Sequence, residues 1–557
     1  MWILGLNAPP MGWHDPAACL IDGDGTVHAL IEEERITRRK HGLHAHPTNA
    51  AQACLDLAGL TPADIDVVAL GWDLPRHASR TDLGRLDPPL PGRPWQFGDS
   101  RKFLTTALGW ELEPVRHPDL VCVPHHYAHA ASSFYASGYQ EAAVVVVDGY
   151  GDDESASIYE ARHGRPLVRR DRWPIPHSLG HLYNAVSELI GLHMLEAGKT
   201  MGLAAYGRAA SMEPWPIFEL TGDTFSPPFH LPANTPDRQI ILAWWDHFRK
   251  LGYGRQHTPS DQLDKNEHAV RLAWSAQDSL QQVCALLAER ARRTTGHGAL
   301  CLAGGVALNC SSNGLLPQPV YVPPVPHDAG VALGAAWTIA PPRTPGQPLT
   351  PYLGRAIATP ETDETLSRHG LTAWPLSPDE VGERLINGQM GAIVTGRAEI
   401  GPRALCHRSI IASPHDPLMR DRLNLAKGRE LWRPLSPVGL AEAEDAYWTA
   451  NPALHRYMLG AAQVTDRGHK DIPAAVHVDG TARPQIITDP DEPLCAVLQH
   501  LKSAGAPPVL INTSFNLRGE PVVDTAEDAI GSARAIGLDF LILGDHLIDL
   551  PDRKKGR

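Results

Sequence analysis

No apolar run in the 557 residues is long enough to cross a bilayer, so no membrane partner is expected. The opening segment MWILGLN has neither the basic region nor the cleavage pattern of a secretory signal. Cysteine is sparse. The eight residues Cys19, Cys54, Cys122, Cys284, Cys301, Cys310, Cys406 and Cys495 are scattered, with no CxxC pair. That absence predicts free thiols in a reducing compartment, hence a soluble, cytoplasmic protein. Basic charge is also in deficit. A net charge of −13 argues against a chain that coats nucleic acid, while leaving room for local basic sites. The length exceeds one ordinary core and predicts at least two domains.

What the sequence does have is organised around Pro124–Asp148, PHHYAHAASSFYASGYQEAAVVVVD. His125 and His129 are four residues apart and would share one face of a helix. Ala142–Val147 reads as a buried strand that delivers Asp148 at its C-terminal end, opening the Gly-rich DGYGDD. Asp328, in VPHDAG, is a second strand-adjacent aspartate. Two imidazoles and carboxylates are ligands for iron, zinc or manganese. The competing reading is an ordinary pair of helix-face histidines.

The preceding chain begins with strands at Met1–Leu6, Ala17–Ile21 and Val27–Ile31, the last two joined by the turn DGDG. The polar loop between the first two carries His14 and Asp15, either as turn-packing residues or as part of a phosphate-holding, actin-like arrangement. EEERITRRKHG (Glu32–Gly42) reads as a solvated face, or as a run whose Lys40 and His41 line a cleft. A capped helix is expected at Thr48–Gly59, and the aperiodic Arg76–Arg116 reads as an insertion or a partner-facing excursion. Glu196 and Lys199 are spaced for a surface i,i+3 pair, unless Lys199 reaches an anionic substrate. Arg208–Asp264 looks like a variable region that shapes an acceptor pocket.

The strand Ala299–Leu302 leads into AGGVALNCSSNG, a turn friendly to nucleotide, although a lone glycine pair also serves tight packing. Ala340–Leu353 is Pro-rich and aperiodic and marks the domain boundary. Beyond it, Arg397, Arg403 and Arg408, then Lys427, Arg429 and Arg433, alternate with apolar residues instead of lying on one polar face. Such spacing points to planar recognition of phosphate and carboxylate, with structural ion pairing as the alternative. Arg483 follows. The strand Pro508–Ile511 then opens into NTSFNLRGEPVV with Arg518, a mononucleotide loop or a tight polar turn. Thr525 and Asp528 have capping-box spacing at the head of a last helix.

Taken together, the motifs resemble those of the NodU/CmcH family of O-carbamoyltransferases. The matching pieces are HD (His14–Asp15), EEER, PHHYAHAASSFYASG, VVDGYGD, KTMGLAAYG, AGGVALNCSSNG, HDAGVALGAA, GRAEIGPRALCHRSI, RELWRPLSP and INTSFNLRGEPVV, in family order. The resemblance implies an α/β protein in two parts. Residues 1–345 would form a TsaD-like domain, a duplicated actin-like (RNase H-like) fold, and 346–557 a YrdC-like domain. The second would make carbamoyladenylate from ATP and carbamoyl phosphate; the first would pass the carbamoyl group to a hydroxyl of a small-molecule natural product. His125, His129, Asp148 and Asp328 would hold a divalent metal, iron by family analogy, with magnesium accompanying ATP. His14 would be the general base. Gly304, Gly305, Asn309 and Asn313, with Lys199, would embrace the adenylate, and Arg403, Arg408, Lys427, Arg433, Arg483 and Arg518 would bind carbamoyl phosphate and ATP. A homodimer follows by the same analogy.

One position departs from the family pattern: Cys406 stands where GPRALG has its last glycine. Cysteine adopts a positive φ less cheaply than glycine, which bears on the geometry of that loop. Two rival functions remain at this point, threonylcarbamoyl transfer to tRNA and a non-catalytic nucleotide-binding scaffold on an actin-like fold. The acidic charge speaks against tRNA.

Overall fold

A computed structural model of the chain describes residues 1–8, 14–73, 104–105, 107–111, 117–255 and 258–550. Most of the Arg76–Arg116 excursion lies outside the described residues. The fold is mixed α/β, built on two five-stranded sheets and one of eight strands.

The first sheet holds β1 (Trp2–Asn7), β2 (Ala17–Asp22), β3 (Val27–Glu32), β4 (Val67–Leu70) and β5 (Asp119–Cys122), in the order β3-β2-β1-β4-β5. Its first three strands pair antiparallel, while β4 and β5 add in parallel. The second holds β6 (Glu141–Gly151), β7 (Glu154–Arg162) and β8 (Val168–Pro174). A small hairpin of β9 (Glu219–Thr221) and β10 (Thr224–Ser226) stands apart, and β11 (Leu300–Ala303) and β12 (Val320–Tyr321) complete that sheet. Its order, β12-β11-β6-β7-β8, reproduces that of the first sheet from the opposite edge, again three antiparallel strands and two parallel ones.

Two helices fill the space between these sheets. His125–Ala136 packs on β6 and β11, and Val331–Ile339 packs on β1, β2 and β4 and against the first helix. Their contact is close because Gly334 has no side chain: a Cβ there would fall 1.8 Å from the Ala128 carbonyl oxygen. The apolar run Ala142–Val147 is buried throughout, as its composition predicts, but the strand runs on to Gly151 with a register break after Val147. Asp148 therefore lies in the break, within the strand and not after it.

The carboxy-terminal sheet comprises β13 (Ala373–Pro375), β14 (Gly391–Val394), β15 (Arg408–Ala412), β16 (Ser436–Leu440), β19 (Gln485–Ile487), β20 (Val509–Ser514), β21 (Phe540–Leu543) and β22 (His546–Asp549). Its order is β13-β22-β21-β14-β15-β20-β16-β19, and β17 (Ala462–Gln463) pairs separately with β18 (Thr481–Ala482). The two-residue period of β14 divides its side chains between two cores. Ala392 and Val394 pack under the helices Met419–Ala426 and Ala526–Ile536, while Ile393 packs under Pro378–Ile386 and Pro493–Ser503. The Thr525/Asp528 capping box forms as its spacing predicts. Asn512, Thr513 and Ser514 belong to β20 itself, so the expected loop begins three residues later than its sequence indicates.

Candidate active site

The helix His125–Ala136 begins at its first metal-ligand candidate, and the turn carrying Asp328 leads straight into the helix Val331–Ile339. The packing of these helices, together with the break in β6, brings His125, His129, Asp148 and Asp328 together. One ligand atom from each lies within 4.8 Å of all the others, and all four residues are buried. His129 Nε2 is 3.0 Å from Asp148 Oδ2, and His125 Nε2 is 3.7 Å from Asp328 Oδ1.

The donor set fits a divalent cation. His125 Nδ1 hydrogen-bonds the Gly71 carbonyl at 2.9 Å, which puts the ring proton there and leaves the lone pair on Nε2. That Nε2 is buried and makes no hydrogen bond. Burial pulls His125 down, but the Asp148 and Asp328 carboxylates, 3.6 and 3.7 Å from Nε2, outweigh it and push the ring up to about 10, so that Nε2 takes up a proton, or a cation in its place. Burial works the other way on Asp148, yet His125 and His129 hold it well below the usual carboxylate range. Two buried carboxylates demand positive charge, from imidazole protons or from a metal.

His14 stands close enough to this centre to feel its charges. Burial lowers its affinity for protons, but the Asp15 hydrogen bond and the charges of Asp15, Asp328 and Asp148 push it up to about 9. A dication held by Asp148 and Asp328 would cancel their share and lower the ring's affinity for its proton.

A second site is a cavity of about 250 Å³. Lys40, Lys199, Arg403, Arg429, Arg433 and Arg483 line it, and Asp479 is the only acidic residue among the lining positions described. Arg403 Nε and Arg429 Nε are buried without hydrogen-bond partners. Burial, then the charge of Arg483, pushes Arg403 down to about 9. Lys427 lies just beneath, donating to the Ser514 carbonyl and to Asn516 Oδ1; burial and the charges of Arg429, Arg433 and Lys40 hold it well below the usual lysine range. Arg403, Arg429 and Arg483 have no carboxylate partner among the described residues, and a group of cations so placed suits a polyanion.

One segment joins the two sites. Gly305 donates its amide to Asp148 Oδ1 at 3.2 Å, and three residues on the Leu308 carbonyl accepts from Arg403 Nη2 at 3.2 Å. Cys310 and Ser311 then line the cavity. Gly304, at φ 89, lies against Val147, where a Cβ would meet the carbonyl oxygen at 2.2 Å and push on the strand that carries Asp148.

The chain is similar to known proteins along most of its length. Residues 99–337 match the family model described as carbamoyltransferase N-terminus, and 382–549 match carbamoyltransferase C-terminus. Nodulation protein NolNO of Sinorhizobium fredii is 31% identical over 98% of this chain and 80% of its own length. The chain belongs to the NodU/CmcH carbamoyltransferase family. Nodulation protein U of Rhizobium tropici is 29% identical over 91% of this chain and 90% of its own. The 3'-hydroxymethylcephem-O-carbamoyltransferase of Amycolatopsis lactamdurans is 35% identical over 46% of this chain and 50% of its own. The chain is thus a transferase of the carbamoyl class.

Not every residue singled out from the sequence of this carbamoyltransferase reaches a site. Arg408 is buried at 0% exposure and gives its guanidinium to the carbonyls of Thr395, His407, Arg355 and Gly396, so it ties the loop together and is not among the cavity's lining residues. Arg518 is half exposed and pairs with Glu430 at 3.3 Å. Lys199 is not the surface partner its i,i+3 spacing predicts: buried, it bridges Glu196 and Glu430 at 2.7 Å each. Asn309 caps a short helix and bonds Gln277, while Asn313 donates to the carbonyls of Ala307 and Leu459. Both amides are structural as they stand. Arg433 and Arg483 line the cavity.

Sequence reasoning missed Glu430, whose carboxylate collects Lys199, Arg433 and Arg518, and Asp152, which accepts the His125 amide at 2.8 Å. It also missed Trp72, whose ring lies against His125 with centroids 3.8 Å apart and planes tilted by 32°. No local pattern marks these three, because each acts across the fold.

Proposed function

We propose that this carbamoyltransferase hydrolyses carbamoyl phosphate to carbamate and inorganic phosphate, joins the carbamate oxygen to the α-phosphate of ATP with loss of pyrophosphate to give carbamoyladenylate in the cation-lined cavity, then transfers the carbamoyl group to a hydroxyl of a small-molecule natural product. The observation that carries the reading is the pairing of two unlike sites by one eight-residue segment, Gly304–Ser311. A cavity lined by several guanidinium groups suits phosphate chemistry, where the protein's task is positioning and charge stabilisation. The His125, His129, Asp148 and Asp328 centre would hold a divalent metal, iron in this reading; when bound, it supplies Lewis-acid polarisation of the carbamoyl carbonyl.

The remaining work falls to side chains of the chain itself. Arg403, Arg429, Arg433 and Arg483 orient and neutralise the phosphates of ATP and carbamoyl phosphate. Lys427 holds Ser514 and Asn516 beneath them. His14 takes the proton of the acceptor hydroxyl, a contribution of roughly 10²–10⁴ in rate for a well-placed base. A closed passage along Gly304–Ser311 would keep the water-labile intermediate from hydrolysis. In this reading residues 1–345 are a TsaD-like unit, and its support is the strand order shared by the first two sheets. Residues 346–557 are then the YrdC-like unit. The enzyme works where ATP and carbamoyl phosphate are made, in the cytoplasm, as a secondary-metabolite tailoring enzyme.

The test is release of AMP and pyrophosphate from ATP in the presence of carbamoyl phosphate, by wild type and by Arg429→Met. Wild type is expected to release both, and the variant to lose at least 100-fold. Equal rates in the two proteins would contradict the assignment of the cavity.

A further inference from the structure

Asp15 lies between two imidazoles. Its Oδ2 is 3.0 Å from His14 Nδ1, and its Oδ1 is 3.2 Å from His41 Nδ1. Burial favours the protonated acid, but the hydrogen bonds from both rings hold Asp15 well below the usual carboxylate range. An ionised carboxylate only accepts, so each Nδ1 facing it carries a proton. That fixes the tautomer of neutral His14, with its lone pair on Nε2.

The arrangement is built into the backbone. Asp15 has φ 54 and His41 φ 62, a region that side-chain-bearing residues seldom occupy. The Asp15 amide donates to the His41 carbonyl at 2.7 Å, closing the two segments on each other. The Asp15 carbonyl accepts from Asn7 Nδ2 at 2.8 Å, and Asn7 Oδ1 accepts from Trp72 Nε1 at 2.8 Å. Trp72 is the ring packed against His125. Asp15 is therefore registered to the ligand cluster through two residues, Asn7 and Trp72, that are almost wholly buried.

We propose that Asp15 is the positioning residue of the transfer step, setting the tautomer and orientation of His14 and held in turn by His41 and Asn7. The inference rests on the carbamoyl-transfer reading above. As the acceptor oxygen bonds to the carbamoyl carbon, its proton moves to His14 Nε2. The bond from that carbon to the phosphate oxygen breaks, and the electron pair leaves with AMP. The imidazolium keeps its Nδ1 proton against Asp15, whose negative charge stabilises it without Asp15 becoming protonated.

Asp15→Asn tests this, because asparagine tolerates the left-handed backbone and keeps the side chain's shape. Its amide can donate to Nδ1, which would move the ring proton to Nε2. Nitrogen-15 spectra of histidine-labelled full-length protein with Zn²⁺ added should show the neutral His14 proton on Nδ1 in wild type and on Nε2 in the variant. A wild-type proton on Nε2, or a tautomer unchanged by the substitution, would overturn the inference. In turnover, kcat for carbamate formation should fall about 10²–10⁴-fold, with the KM for ATP unchanged. A variant with wild-type kcat would overturn it equally. Wild type that carbamoylates no acceptor would sink the transfer reading instead, and the tautomer would still decide the role of Asp15.

Discussion

Arg35 Nη2 donates to the Gly401 carbonyl at 2.6 Å, joining a charged run near the amino terminus to the arginine-rich loop of the carboxy-terminal half. Gly401 returns its amide to Glu32 Oε2 at 3.1 Å, and Arg35 lies 3.2 Å from that same oxygen. Glu32 in turn reaches His327, the neighbour of Asp328, at 3.5 Å. Arg38 extends the clasp to the carbonyls of Val522 and Pro521. The run is thus an internal seam between the regions that carry the two sites.

Arg35→Leu should therefore destabilise the protein by about 3–5 kcal/mol, because it strands the buried Glu32 carboxylate. Urea unfolding measures this. A cost below about 1 kcal/mol would mean that the seam is a surface pair and not a clasp.

The His14 ring should respond to metal. Without a cation it is pushed up to about 9, with Asp328 and Asp148 contributing. Their negative charge retains the proton, so a dication between them lowers the midpoint. Titration of His14 by NMR, with and without Zn²⁺, should show a downward shift on metal addition. An unchanged midpoint would place the ion elsewhere.

Glu430 supplies an acid-sensitive element. Burial raises its carboxyl, but Lys199 and Arg433 bring it down to about 2 from 4.5. A depressed carboxyl stabilises the fold above its unfolded value, and that contribution is lost as pH falls from 4.5 through 2. Wild type should exceed Glu430→Gln by about 3 kcal/mol at pH 7, and urea midpoints should converge across that window. A gap independent of pH would show that the cations are held by something else.

Cys406 has φ 79, a left-handed backbone that a residue with a side chain adopts less cheaply than glycine. Its thiol is buried and touches Gln485 Oε1 and Asn512 Nδ2. Cys406→Ala loses those contacts and retains the strain; Cys406→Gly loses the contacts and the strain together. The glycine variant should be the more stable of the two by about 1 kcal/mol in urea unfolding. Equal stability would show that the loop relaxes around any residue.

The ligand cluster was legible in the sequence because its parts are local. A four-residue histidine spacing, a buried apolar strand and an aspartate before a Gly/Ala helix each have a period or a boundary. The cavity was half legible. Arginines alternating with apolar residues point inward, yet nothing local separates Arg403, which lines the cavity, from Arg408, which ties backbone carbonyls. Glu32–Gly42 was the hardest stretch, since a dense mixture of charges looks the same on a solvated face as in a seam. Its burial is decided by Gly401 and Val522, more than 360 residues away. The strand carrying Asn512–Ser514 runs longer than its apolar stretch because its polar residues pair with β15 and β16.

The central claim is that one chain both activates and transfers a carbamoyl group. Its most direct test is incubation of the full chain with ATP, carbamoyl phosphate and Fe²⁺ against a panel of hydroxylated natural products, with mass spectrometry of each acceptor. The expected result is AMP and pyrophosphate release together with one acceptor gaining a carbamoyl group. Absence of any nucleotide turnover would contradict it.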